Sequence, residues 1–178
     1  MGPSNVKPKI LIVDDDKNIG KMISITLQKQ KRYECAVALS GEACLQTVRE
    51  DPPDLILLDI QMPGIDGLET LERLRQIEPN IPVVMMSAHG TIERAVRSMK
   101  LGAHDFIEKP FASDRLLVTV ENALITSSLK REVSQLRSEL RNKYSLANII
   151  GESGPMQEVF RAVEKVIDSN VTVLIQGE

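Results

Sequence analysis

A chain of 178 residues with 42% hydrophobic and 26% charged residues, 3% aromatic content and no Trp has the balance of a soluble globular protein with an aliphatic core. It is long enough for one domain and a remainder. The net charge of −3 excludes a general nucleic-acid surface, which needs clustered Lys and Arg, and no stretch reads as a membrane span. Cys35 and Cys44 have no CxxC spacing and are expected to be small buried hydrophobes in a reducing compartment; Met1 to Asn5 lacks a basic-then-apolar leader pattern, which reads as cytoplasmic.

Lys9-Ile10-Leu11-Ile12-Val13 is a bare apolar run that ends in Asp14-Asp15-Asp16. Such a run reads as a strand buried on both faces, and three adjacent carboxylates at its exit need a cation or a helix N-terminus to compensate them. Ile19, Met22, Ile23 and Leu27 recur at helical spacing, predicting an amphipathic helix to about Gln30. Tyr33 to Ala38 is a weaker strand, after which Ser40 caps a helix carrying Ala43, Leu45 and Val48.

Leu55 to Gly64 holds the third strand, which delivers Asp59 to its end and then turns at Pro63-Gly64. Asp66-Gly67-Leu68-Glu69 has the form of a capping box and opens a helix with Leu68, Leu71 and Leu74 on one face. Ile81 to Met86 is the fourth strand, exiting at Ser87. Thr91 begins a helix with Ile92, Ala95, Val96 and Met99, closed by Gly102 where a left-handed residue is wanted. Phe106-Ile107 is a short fifth strand exiting at Lys109-Pro110.

Five strands alternating with helices imply a doubly wound α/β fold with a parallel sheet, and in such sheets ligands bind beyond the carboxyl ends of the strands. Those ends carry Asp14 and Asp15, Asp59, Ser87 and Lys109. Carboxylates suit Mg²⁺, which prefers oxygen ligands and keeps several waters. A carboxylate can also attack phosphorus to form an acyl phosphate, helped by positioning and by neutralising the equatorial oxygens. Asp59 is then the nucleophile, Mg²⁺ and Lys109 supply positive charge, and the Ser87 hydroxyl meets a phosphoryl oxygen.

With Asp14-Asp15 after Leu11-Ile12-Val13, Asp59 in Leu58-Asp59-Ile60-Gln61-Met62-Pro63-Gly64, Ser87-Ala88 and Lys109-Pro110, the stretch from about Lys9 to Leu124 resembles the receiver domain of two-component response regulators. The resemblance implies a flavodoxin-like sheet in the order 2-1-3-4-5. It implies Asp59 as phosphoacceptor, and Asp14, Asp15, Asp59 and the main-chain carbonyl of Gln61 as magnesium ligands. It further implies a cis peptide before Pro110 and an aromatic switch residue three before the lysine, here Phe106. A Phe cannot donate a hydrogen bond, so coupling to Ser87 is expected to be steric. Asp16 reads as a helix cap or an outer charge, His89 and His104 as loop residues, and the methionines as core filling.

From Ser113 a last helix carries Leu116, Leu117, Val120 and Leu124, then runs without Pro or Gly to about Tyr144. Ile125, Leu129, Val133, Leu136 and Leu140 form an apolar seam with charged flanks, which predicts a short coiled coil and a homodimer; a single helix laid on a following domain is the alternative. Pro155 starts another helix, and Val171 to Ile175 reads as a buried strand ending in Gln176-Gly177-Glu178. This tail resembles the start of the ATPase domain of sigma-54-dependent activators of the nitrogen-regulator type, without its phosphate loop.

The expected division is a receiver at 7–125, a helical linker at 126–145 and an ATPase fragment at 146–178 unable to build its own core. The expected function is a phosphorylation switch fed by a sensor histidine kinase, reaching sigma-54 RNA polymerase and DNA only through other parts of a longer protein. The rival enzyme reading is a magnesium-dependent phosphatase with an aspartyl nucleophile. Such enzymes place a second acid two residues after the nucleophile, where this chain has Gln61. A third reading is a dimerisation module with purely structural acids.

Overall fold

The computed structural model describes residues 7–88, 91–143, 153–164, 172 and 174. The chain forms two compact units, Met1–Arg131 and Glu132–Glu178. Elements of the first are β1 (Lys9–Val13), α1 (Lys17–Gln28), β2 (Glu34–Ala38), α2 (Gly41–Glu50), β3 (Leu55–Asp59), α3 (Gly67–Ile77), β4 (Val83–Ser87), α4 (Ile92–Lys100) and β5 (Asp105–Glu108). Helix α5 (Ser113–Lys143) begins in the first unit and ends in the second, which also holds α6 (Gly154–Glu164).

The five strands form one parallel sheet in the order β2-β1-β3-β4-β5, the order implied by the receiver resemblance. Apolar residues occupy both faces because every strand-to-strand return is a helical crossover that covers the sheet. Leu11, Val13, Ile56, Leu58 and Met85 face one way and pack with Cys44 and Val48 of α2 and Leu71 and Leu74 of α3. Ile10, Ile12, Leu55, Leu57, Val84 and Met86 face the other and pack with Ile23 and Leu27 of α1 and Leu116 and Val120 of α5. The alternation is the period of two expected of strands.

Helix starts follow the local chemistry. Asp16, Ser40, Asp66 and Thr91 each accept a hydrogen bond from a first-turn N–H of the helix they precede, satisfying a donor that has no helical partner. The capping box at Asp66 forms in one direction: Asp66 accepts from the Glu69 N–H at 2.8 Å, while the Glu69 carboxylate pairs with Arg73. Gly102 takes φ +87° at the end of α4, the left-handed conformation expected there.

Several expected core positions lie outside the core. Helix α4 buries only Ser98, whereas Ile92 is 83% exposed and Val96 and Met99 are also exposed. The helix lies over the sheet's edge, where the small Ser98, its Oγ donating to the Arg94 carbonyl at 2.8 Å, replaces a bulky contact. Met22 is exposed as well, so Met22 and Met99 are not core filling, unlike Met85 and Met86. Cys44 is buried as expected, but Cys35 is half-buried on the edge strand β2. His104 lies between α4 and β5, while His89 falls outside the described residues.

In the second unit α6 contains Pro155 in its first turn, where a missing N–H costs nothing. The strand expected at Val171 to Ile175 lies outside the described residues except for Thr172 and Leu174, which are exposed and carry no strand assignment. Among the described residues no helix is long and apolar enough to cross a membrane.

Candidate functional site

The sheet register brings the strand exits to one edge. Val13 pairs with Leu58, Asp59 with Met86, and Ser87 with Glu108, so the residues at and just beyond these ends converge. Asp14 and Asp59 are buried there, and Asp15 is exposed beside them. Carboxylate oxygens of Asp14, Asp15 and Asp59 all lie within 4.8 Å of one another.

Lys109 enters between two of them. Its Nζ stands 2.6 Å from Asp14 Oδ2 and 3.1 Å from Asp59 Oδ1. The peptide joining Lys109 to Pro110 is cis, and the Lys109 N–H donates to the Ser87 carbonyl at 2.8 Å. The backbone at Asp59 is equally fixed: the Ile60 N–H donates to the Met86 carbonyl at 2.9 Å, and the Gly67 N–H to the Ile60 carbonyl at 2.9 Å.

Three carboxylates against one ammonium leave an excess of negative charge. Burial pushes the Asp59 carboxyl above its ordinary value, Lys109 opposes the shift, and Asp14 and Asp15 add to it. Asp59 Oδ1 is buried, with the Lys109 ammonium 3.1 Å away. A cluster of hard oxygens with surplus negative charge is a donor set for a divalent cation, and the three aspartates could hold one.

Asp16 does not join the cluster. Its side chain accepts from the Asn18 N–H at 2.8 Å, and its own N–H donates to Asp14 Oδ1 at 3.0 Å, which orients the inner carboxylate. Ser87 is fully buried at the end of β4. Phe106 pairs in register with Met85, two residues from the Ser87–Glu108 pair, so Ser87 and Phe106 share one face of the sheet. Phe106 is partly buried against the cluster that includes Met85.

Gln61 lines a cavity of about 640 Å³ at the mouth of the site, together with Asp15, Met62, Asp66, Arg94 and Arg97. The two arginines were not legible as site residues, because nothing in a helical sequence shows which turn overhangs a neighbouring loop. Gly67 is the other omission. A Cβ there would stand 2.0 Å from the Asp59 carbonyl oxygen, so the glycine is required by close approach.

The response regulator receiver domain family matches residues 10–121. The chain is 40% identical over 170 residues to the nitrogen assimilation regulatory protein NtrX of Azorhizobium caulinodans, covering 94% of this chain and 36% of that protein. It is 35% identical to the regulatory protein AtoC of Escherichia coli, covering 96% and 37% respectively. The chain thus spans about a third of the length of these relatives. The crystal structure of the receiver domain of NtrX from Brucella abortus superposes with a TM-score of 0.62 at 40% identity, over 66% of this chain and 98% of that one. With a longer NtrX structure from the same organism the TM-score is 0.70 at 38% identity, over 93% and 36%. On its sheet order, its strand-end residues and these matches, the chain belongs to the response regulator receiver domain family.

Proposed function

We propose that this chain is a phosphorylation switch in which Asp59 accepts a phosphoryl group from a sensor histidine kinase. The observation that carries the reading is the Lys109 ammonium held between the buried Asp14 and Asp59 carboxylates. A carboxylate oxygen of Asp59 attacks the donor's phosphorus, the new O–P bond forms, and the bond to the leaving group breaks with its electron pair staying on that group. Lys109 stabilises charge on the transferred group, the Ser87 hydroxyl donates to one of its oxygens, and Phe106 repacks by steric contact. Asp14, Asp15, Asp59 and the Gln61 carbonyl would hold Mg²⁺. When bound, that ion neutralises charge on the phosphoryl oxygens.

We assign 7–125 to the receiver, 126–145 to a helical linker and 146–178 to the beginning of an ATPase domain. Ile125, Leu129, Val133 and Leu136 are each about half exposed on α5, as a seam awaiting a second copy of the chain requires. A longer cytoplasmic protein would regulate sigma-54-dependent transcription, meeting polymerase and DNA through its other parts. That reading is supported by the likeness to NtrX and AtoC over nearly the whole chain.

The competing reading is a phosphatase using Asp59 as nucleophile. Gln61 argues against it, since an amide offers no general acid two residues after the nucleophile. Incubation with a small phosphodonor and Mg²⁺ discriminates the two: a stoichiometric adduct with little released phosphate is expected, and many turnovers on phosphate esters would favour the hydrolase.

A further inference from the structure

Ser127 on α5 is only 8% exposed, yet its Oγ is buried and has no hydrogen-bond partner. Buried hydroxyls are nearly always paired, because an unpaired one has lost its water without compensation. Ser127 lines a cavity of about 230 Å³ together with Arg75, Asn80, His104, Thr126 and Lys130, and it also borders a neighbouring one lined by Asp54 and Arg131. No Asp or Glu lines the first of the two.

The carboxylate of Asp105 acts on His104 without itself lining the cavity. Among the described residues neither Arg75 nor Lys130 takes part in an ion pair. Arg75 instead donates to the carbonyls of Pro79, Ile81 and Gly102 at 3.1, 2.8 and 2.9 Å. A guanidinium has five N–H donors, so these bonds tie Arg75 down without exhausting it. The fixed cation, the Ser127 hydroxyl and the Lys130 ammonium come from α3 and α5, and the turn at Gly102 to His104 closes the space between them.

We propose that this cavity binds a small tetrahedral oxyanion of the phosphate type. Its volume lies below the range of about 300–1,000 Å³ usual for drug-sized ligands, which suits an inorganic ion with a few waters. Charge-assisted bonds from a guanidinium and an ammonium, with a hydroxyl beside them, match such an ion. Ile81 and Pro82 precede β4, and Ala103 and His104 precede β5, so the cavity is at the edge of the sheet opposite Asp59. The site is therefore independent of the phosphorylation reading. A bound anion would link Lys130 on α5 to the turn before β5.

The test is a titration of the full chain with inorganic phosphate in Mg²⁺-free buffer, followed by amide NMR. Saturable shifts are expected at Gly102, Ala103, Thr126 and Ser127, with acetate, a planar carboxylate, binding about tenfold more weakly. Ser127→Ala and the surface change Lys130→Gln are each expected to weaken phosphate binding about tenfold, the size of one charge-assisted contact. Absence of saturable shifts at the cavity, equal binding of acetate, or shifts unchanged in both variants would overturn the proposal.

Discussion

A Cβ built on Gly67 meets the Asp59 carbonyl oxygen at 2.0 Å, so the first turn of α3 is seated directly on the backbone of the proposed phosphoacceptor. The close approach is backbone against backbone, and the nearest atoms a Cβ would meet there are all main chain, with no flexible partner to yield. It ties the helix start, already held by the Gly67 N–H to the Ile60 carbonyl, to the position of the Asp59 carboxylate.

Gly67→Ala is therefore expected to destabilise the protein by about 2 kcal/mol or more, the scale of overpacking against an unyielding wall. It should also slow formation of the Asp59 adduct by displacing the carboxylate. Urea unfolding and adduct kinetics check both. Gly67→Ala with unchanged stability would show that α3 can shift freely.

In metal-free buffer Asp59→Asn is expected to stabilise the chain by about 1 kcal/mol, since it removes one of three clustered negative charges while Lys109 keeps Asp14 as its partner. Adding Mg²⁺ should reverse the ranking. A ligand that binds only the folded state at a hundred times its Kd adds about 2.7 kcal/mol, and Asp59→Asn should lose most of that gain. Thermal melts with and without Mg²⁺ measure it.

The sheet edge that carries Asp59 was largely legible in the sequence because the apolar runs of buried strands fix which residue stands at each exit, and Asp14, Asp59, Ser87 and Lys109 do lie at such exits. The α4 surface was not. Ile92, Val96 and Met99 have helical spacing and apolar character, yet the helix covers a sheet edge and buries Ser98 instead. Amphipathic spacing identifies a face without stating whether protein or solvent meets it. Gly67 failed for another reason, since the backbone that demands a glycine comes from β3, remote from the helix it opens.

The exposed seam on α5 yields a prediction about assembly. Leu129→Glu combined with Leu136→Glu should convert a dimer to a monomer in light scattering, because two buried like charges in a short coiled coil exceed what a few apolar pairs supply. Unfolding of the receiver should change little, as both side chains are about half exposed.

Burial pushes the Cys44 thiol up to about 12, so at pH 8 its thiolate fraction is about one in ten thousand. Cys35 is also raised by burial, with a hydrogen bond to Ser24 opposing the shift, but it is half-buried. Iodoacetamide at pH 8 should therefore label Cys35 slowly and leave Cys44 unmodified until the protein unfolds. Peptide mapping checks the order.

Asp59 is the residue proposed to take the phosphoryl group. Intact-mass measurement after incubation with a small phosphodonor and Mg²⁺ tests it most directly. One phosphoryl group per chain is expected, absent without Mg²⁺ and absent in Asp59→Asn. A full-stoichiometry adduct that survives in Asp59→Asn, or no adduct on the unaltered chain, would contradict it.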